Sequence, residues 1–157
     1  MDSIKGKTAV ITGAASGIGL AMAHRFAQNG ANVVMSDIAV EPLDCAVETV
    51  RNLAGGSVSG FVADTSKAAD VEALAECADK AFGGTHILCN NAGVAMGGLL
   101  WENTLADWEW VLGVNLYGVI HGIRAFVPRM LDHGEQSAIV NTASFSGLSS
   151  QPAMGVY

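Results

Sequence analysis

A chain of 157 residues is long enough for one globular domain with a core of its own. Half of its residues are hydrophobic and 15% are charged, which excludes a disordered acidic segment. The net charge of -7, with eight Lys and Arg scattered singly, argues against a nucleic-acid or anionic-membrane partner, because phosphate surfaces need clustered cations.

The N-terminal residues Met1 to Lys7 lead into a strand without the apolar core of a signal peptide. No apolar run reaches the length that spans a bilayer, so the expected location is cytoplasmic. Cys45, Cys77 and Cys89 are odd in number and lack metal-ligand spacing, as incidental thiols in a reducing compartment do.

In chain order, Thr8–Thr12 is a first strand, followed by a glycine-rich turn. Ile18 to Asn29 carries Ile18, Met22 and Phe26 at helical spacing and stops at Gly30. Asn32–Ser36 is apolar without alternation, as a strand covered on both faces should be. A helix over about 41–54 ends at Gly55-Gly56, and Val58–Ala63 is the third strand. Lys67 to Phe82 is helical, with Val71, Leu74, Ala75, Ala78 and Phe82 on one stripe. His86–Cys89 is a short fourth strand, and a loop from Asn90 to Asn103 leads to one long helix over roughly Leu105–Leu131. Ala138–Asn141 is the fifth strand, and Ser144–Tyr157 reads as loop. Strands alternating with helices predict an α/β fold: a single domain over 1–157 with a doubly wound parallel sheet of the Rossmann type.

Two motifs point to a dinucleotide. Thr12-Gly13-Ala14-Ala15-Ser16-Gly17-Ile18-Gly19 fills the first strand-to-helix turn. Its glycines permit a tight turn and close approach of a pyrophosphate to the backbone at a positive helix end. Asp37 ends the second strand, where a carboxylate accepts hydrogen bonds from the adenosine ribose and repels a 2′-phosphate. Ile38 and Ala39 offer no cation to offset that repulsion, so NAD is expected over NADP. The plain alternative for Asp37 is a solvated cap of the next helix.

The spacing Thr-Gly-x-x-x-Gly-x-Gly resembles the short-chain dehydrogenase/reductase family, and further matches follow in that family's order. Asp64, with Thr65 beside it, looks like the aspartate that meets the adenine amino group. Asn90-Asn91-Ala92-Gly93 is similar to the family's segment beside the cofactor. Asn115 matches the active-site asparagine of the long helix, and Ser144 and Tyr157 match the catalytic Ser and Tyr in their separation. The resemblance implies hydride exchange between nicotinamide and a secondary alcohol or ketone. In it Tyr157 moves the hydroxyl proton, Ser144 holds the substrate oxygen, and Asn115 anchors a water. Cofactor contacts are implied at Gly13, Ser16, Gly17, Ile18, Gly19, Asp37, Asp64, Thr65, Asn90, Asn91, Ala92, Gly93 and Tyr157.

The family places a lysine four residues after the tyrosine to help ionise it, together with further strands and a substrate loop. None of these is in the 157 residues, which reads as C-terminal truncation with impaired activity. Two other readings stay open: a catalytically silent NAD-binding or regulatory protein, and an oligomerisation module built on Val111, Leu112, Val119, Ile120, Ile123 and Phe126. The resemblance implies a homo-oligomer for the intact protein. Trp108 and Val111 are expected to pack, and Met96, Leu99, Leu100, Trp101 and Met154 to rim an apolar substrate cleft. His24, His86, His121 and His133 show no metal-ligand clustering and receive no role.

Overall fold

The computed structural model describes residues 3–53, 56–149 and 151–157. Five parallel strands form one sheet: β1 (Thr8–Thr12), β2 (Asn32–Asp37), β3 (Val58–Val62), β4 (Ile87–Asn90) and β5 (Ala138–Asn141). Their order across the sheet is β3-β2-β1-β4-β5. The helices are α1 (Gly17–Gln28), α2 (Val40–Leu53), α3 (Ala68–Phe82), α4 (Leu105–Leu112) and α5 (Gly118–His133).

Parallel strands must be covered on both faces, and the sequence supplies that cover by alternation within β1. Ala9 and Ile11 point to α1 and α2, joining Val33, Met35, Leu43, Val47 and Val50 in one buried cluster. Val10 points the other way, joining Val34, Leu74, Leu88 and Phe126 beneath α3 and α5. The stripe expected on α3 is the buried one, Val71, Leu74, Ala75 and Ala78, with Phe82 packed partly against it.

On α1 the expected stripe holds only in part, since Met22 and Phe26 pack against the core and Ile18 does not. Gly19, Ala23 and Ala27 are buried, Met22 and Phe26 are half-buried, and Ile18 is exposed. Small side chains bring this helix close to the sheet, a packing need that hydrophobicity does not register. The end of α2 expected at Gly55 lies outside the described residues.

The long helix is not uniform. A five-residue π segment, Gly113–Tyr117, joins α4 to α5. It widens one turn and sets Gly113 and Gly118 against the same loop. A Cβ on Gly113 would stand 3.2 Å from the Ser66 side chain, and one on Gly118 3.1 Å from the Thr65 hydroxyl. Thr104 and Asp107 form a capping box at the start of α4. Contrary to the expectation of no apolar run of membrane length, Leu105–His133 spans 29 residues and is apolar enough to cross one by length and composition. In the fold it lies against α3 and β4, with Phe126 fully buried.

Candidate dinucleotide and active-site cleft

The chain winds outward from β1 to β2 and β3, then returns to place β4 on the other side of β1. Loops leaving β1 and β4 therefore diverge, and a crevice opens at the carboxyl ends of the strands. A cleft of about 880 Å³ fills it, with walls taken from the turn after every one of the five strands. That volume lies within the range of small-molecule and cofactor sites.

The β1–α1 turn is shaped by close approach. Gly13 has φ +64°, and a Cβ there would meet Ala92 Cα at 2.9 Å. A Cβ on Gly19 would meet the Gly13 carbonyl oxygen at 2.1 Å, so Gly19 serves helix packing and is not among the cleft-lining residues. Gly13, Ser16, Gly17 and Ile18 do line the cleft. Ser16 is the extended N-cap of α1, makes no side-chain cap bond, and is followed by a first turn without an acidic residue. The positive end of α1 is thus kept for an anion in the cleft. Gly17, at φ +54°, faces open space where a side chain would intrude. These features fit the pyrophosphate of a dinucleotide.

Asp37 lines the cleft and holds two turns. Its Oδ2 accepts the Ala15 N–H at 3.1 Å and its Oδ1 accepts the Ala39 N–H at 3.1 Å. Asp64, Thr65 and Ser66 form the wall after β3. Burial raises the Asp64 pKa, but hydrogen bonds from the Ser66 hydroxyl (2.6 Å) and N–H (3.0 Å), with the nearby Lys67 ammonium, outweigh it and hold the carboxyl below its ordinary value.

The asparagines divide their work. The buried Asn90 donates to Asn141 Oδ1 at 2.9 Å and lies against Gly122 of α5, away from the cleft wall. Asn91 lines the cleft, donating to the Thr12 carbonyl (3.0 Å) and accepting from the Thr142 hydroxyl (3.0 Å). The Thr12 hydroxyl accepts the N–H groups of both Asn91 and Ala92 at 3.0 Å, tying the β4 turn to β1. Ala92 and Gly93 continue the same wall. Asn115 sits in the π segment, where its amide accepts the Val94 N–H (2.9 Å) and donates to the Val94 carbonyl (2.8 Å). A π turn at such a position is common at functional sites.

Ser144 and Tyr157 both line the cleft. The Ser144 hydroxyl oxygen accepts the Ser146 N–H at 3.2 Å, which uses a lone pair and keeps the hydroxyl proton available for an oxygen in the cleft. Met96, Leu99, Leu100, Trp101 and Met154, expected to rim the cleft, are not among its lining residues. The sequence reading missed instead Trp110, Val114, Val119 and Thr142 as cleft residues. The first three lie on the long helix within two turns of Asn115, a proximity that helical spacing encodes once Asn115 is known. Trp108 is half-buried and Val111 buried, as packing residues should be. Among the described residues no group of His, Cys, Asp and Glu is arranged for a metal. The histidines nonetheless have structural work: His121 Nδ1 donates to the Thr65 carbonyl at 3.0 Å, behind the cleft wall. Cys89 is buried, which pushes its thiol up to about 11 and leaves it inert.

A family model described as short chain dehydrogenase matches residues 7–157. The chain is 48% identical to 1-deoxy-11-beta-hydroxypentalenate dehydrogenase of Streptomyces avermitilis over 88% of its own length and 52% of that protein's. It is 35% identical to the NADP-dependent (R)-specific alcohol dehydrogenase of Lentilactobacillus kefiri, covering 99% of this chain and 61% of that one. A crystal structure of a short chain dehydrogenase/reductase from Burkholderia phymatum in complex with NAD superposes with a TM-score of 0.97 at 50% identity, covering all of this chain and 56% of the other. The chain thus spans about half the length of the relatives it matches. On the family match, the sheet order and the cleft, the chain belongs to the short-chain dehydrogenase/reductase family.

Proposed function

We propose that the protein is an NAD-dependent dehydrogenase acting on secondary alcohols or ketones, with NAD preferred over NADP. The observation that carries the cofactor preference is the make-up of the cleft wall. Asp37 stands on it, and among the described residues no Lys, Arg or His lines it. A 2′-phosphate beside that carboxylate would meet repulsion without a compensating cation. The relatives differ on this point, one being bound to NAD and another named as NADP-dependent.

When bound, the nicotinamide supplies or accepts the hydride. The chain's own residues do the rest. Ser144 holds the substrate oxygen by a hydrogen bond from its hydroxyl, and Tyr157 gives or takes the one proton of the hydroxyl at the reacting carbon. Asn115 fixes the backbone at Val94 and with it that part of the cleft wall. Val94, Ala95, Trp110, Val114 and Val119 give this cleft apolar surface, which supports an apolar substrate. A free tyrosine has a pKa near ~10 and needs a cationic neighbour to work at neutral pH.

Assembly as a homo-oligomer in the cytoplasm belongs to the same proposal. Val111 and Phe126 are spent in the fold, whereas Leu112, Ile120 and Ile123 stay exposed for a partner helix.

Calorimetric titration with each dinucleotide, followed by assay of the full-length protein on a panel of secondary alcohols, tests the proposal. Binding of NAD at least about tenfold tighter than NADP is expected. Equal binding would end the cofactor preference, and turnover of no alcohol or ketone would end the enzymatic reading.

A further inference from the structure

We propose that Asp37 is a positioning residue for the pyrophosphate turn: the carboxylate that faces the adenosine ribose also holds the glycine-rich turn in shape before any nucleotide arrives. The inference rests on the cleft being a dinucleotide site. It assigns Asp37 work that ribose recognition does not require.

The turn from Gly13 to Gly17 has a glycine in the left-handed region at each end, φ +64° and φ +54°. Such a segment has much backbone freedom, and its shape must be imposed from outside. Two consecutive residues at the end of β2 impose it. The Ser36 carbonyl accepts the Ala14 N–H at 2.9 Å, and Asp37 Oδ2 accepts the Ala15 N–H at 3.1 Å. The first is a backbone bond that any residue at 36 provides. The second depends on the side chain at 37.

The other oxygen, Oδ1, takes the Ala39 N–H at 3.1 Å, and the Asp37 carbonyl takes the Ala63 N–H at 3.1 Å. One residue thereby joins the β1–α1 turn, the approach to α2 and the loop that leads to Asp64. All three flank the adenosine end of the cleft. Each carboxylate oxygen retains a further lone pair, so a ribose hydroxyl can be accepted without breaking either bond. Removing the carboxylate to admit a 2′-phosphate would therefore loosen the turn that binds the pyrophosphate of both dinucleotides. Affinity for NAD would fall without a matching gain for NADP.

Amide hydrogen exchange of the nucleotide-free protein tests this directly. In Asp37→Ala the amides of Ala15 and Ala39 should exchange at least about tenfold faster, while those of Val10 and Val34 in the sheet stay protected. Asp37→Asn keeps one acceptor oxygen and should restore protection at one of the two amides. In turnover assays Asp37→Ala should raise the KM for NAD without a matching fall in the KM for NADP. Unchanged exchange at Ala15 in Asp37→Ala overturns the proposal. If that variant fails to fold, Asp37→Asn decides: faster exchange at one amide supports the tether, and at neither removes it. Equal affinity of the unaltered protein for NADP and NAD would end the cofactor preference yet leave the exchange result standing.

Discussion

The two ends of the sheet treat polar groups in opposite ways. At the amino ends of the strands two histidines and a carboxylate satisfy one another and their backbone neighbours, while the buried Thr8 and Thr85 hydroxyls stay without partners. His86 Nδ1 accepts the Thr8 N–H at 3.1 Å and its Nε2 faces Glu135 at 3.2 Å, with Lys7 on the same carboxylate. His133 Nδ1 accepts the Glu135 N–H at 3.1 Å while its Nε2 faces the Thr85 carbonyl at 3.0 Å. In both rings a backbone N–H occupies Nδ1 as acceptor, which leaves Nε2 to face its oxygen partner. At the carboxyl ends the pattern reverses. The end of α1 lacks a side-chain cap, the Ser144 proton is available, and Asp37 and Asp64 present carboxylates to the cleft. Closed polar networks hold a fold together; polar groups with capacity left over mark where a ligand belongs.

Substitutions at the cleft should therefore change binding and turnover far more than stability, and substitutions at the opposite end should do the reverse. The largest effect is expected for Tyr157→Phe in the full-length protein. It should lower kcat by about 100-fold or more and shift the Kd for NAD less than about threefold. An unchanged kcat would remove Tyr157 from the chemistry. Next comes Gly17→Val, whose side chain would enter the open space beside the turn. NAD affinity should drop at least about tenfold, with strain of about 1–2 kcal/mol from the positive φ appearing as a small fall in Tm.

His133→Ala probes the other end. It removes the partner of the Thr85 carbonyl, while the exposed Glu135 N–H turns to water, and should cost about 1 kcal/mol by denaturant unfolding, with NAD affinity unchanged. A loss of NAD binding at unchanged stability would break the comparison. The smallest effect is in pH. Burial holds His86 below its ordinary 6.5, partly opposed by Glu135. The unfolded chain then takes up a proton more readily than the folded one. This contribution to stability is complete above about pH 6.5 and is lost as pH falls toward the lower folded value. His86→Gln should flatten that slope, measured as the unfolding midpoint between pH 7.5 and 5.5.

Much of this was legible in the chain because it is local. Strand, turn and helix follow from β-branched runs, glycines and a stripe such as Val71, Leu74, Ala75 and Ala78. The cleft was legible from the residues that end each strand: Gly13, Asp37, Asp64, Asn91 and Ser144 all reach it. Asn90 and Gly19 belong to the same motifs but turn inward, one to meet Gly122 and the other the Gly13 carbonyl. Motif membership does not say which way a side chain points.

By itself the sequence determined which segments are strands and helices, that the sheet is parallel with its central strands covered on both faces, and which turns carry chemistry. These follow from spacing, glycine and charge, all properties of near neighbours along the chain. Only the tertiary structure decided that small residues carry the buried face of α1. The π turn at Asn115, the pairing of that amide with Val94 and the double tether of Asp37 were decided there too. The reason is physical. Close approach between elements and hydrogen bonds across 21 or 22 residues depend on where the sheet places its loops, which no local pattern contains.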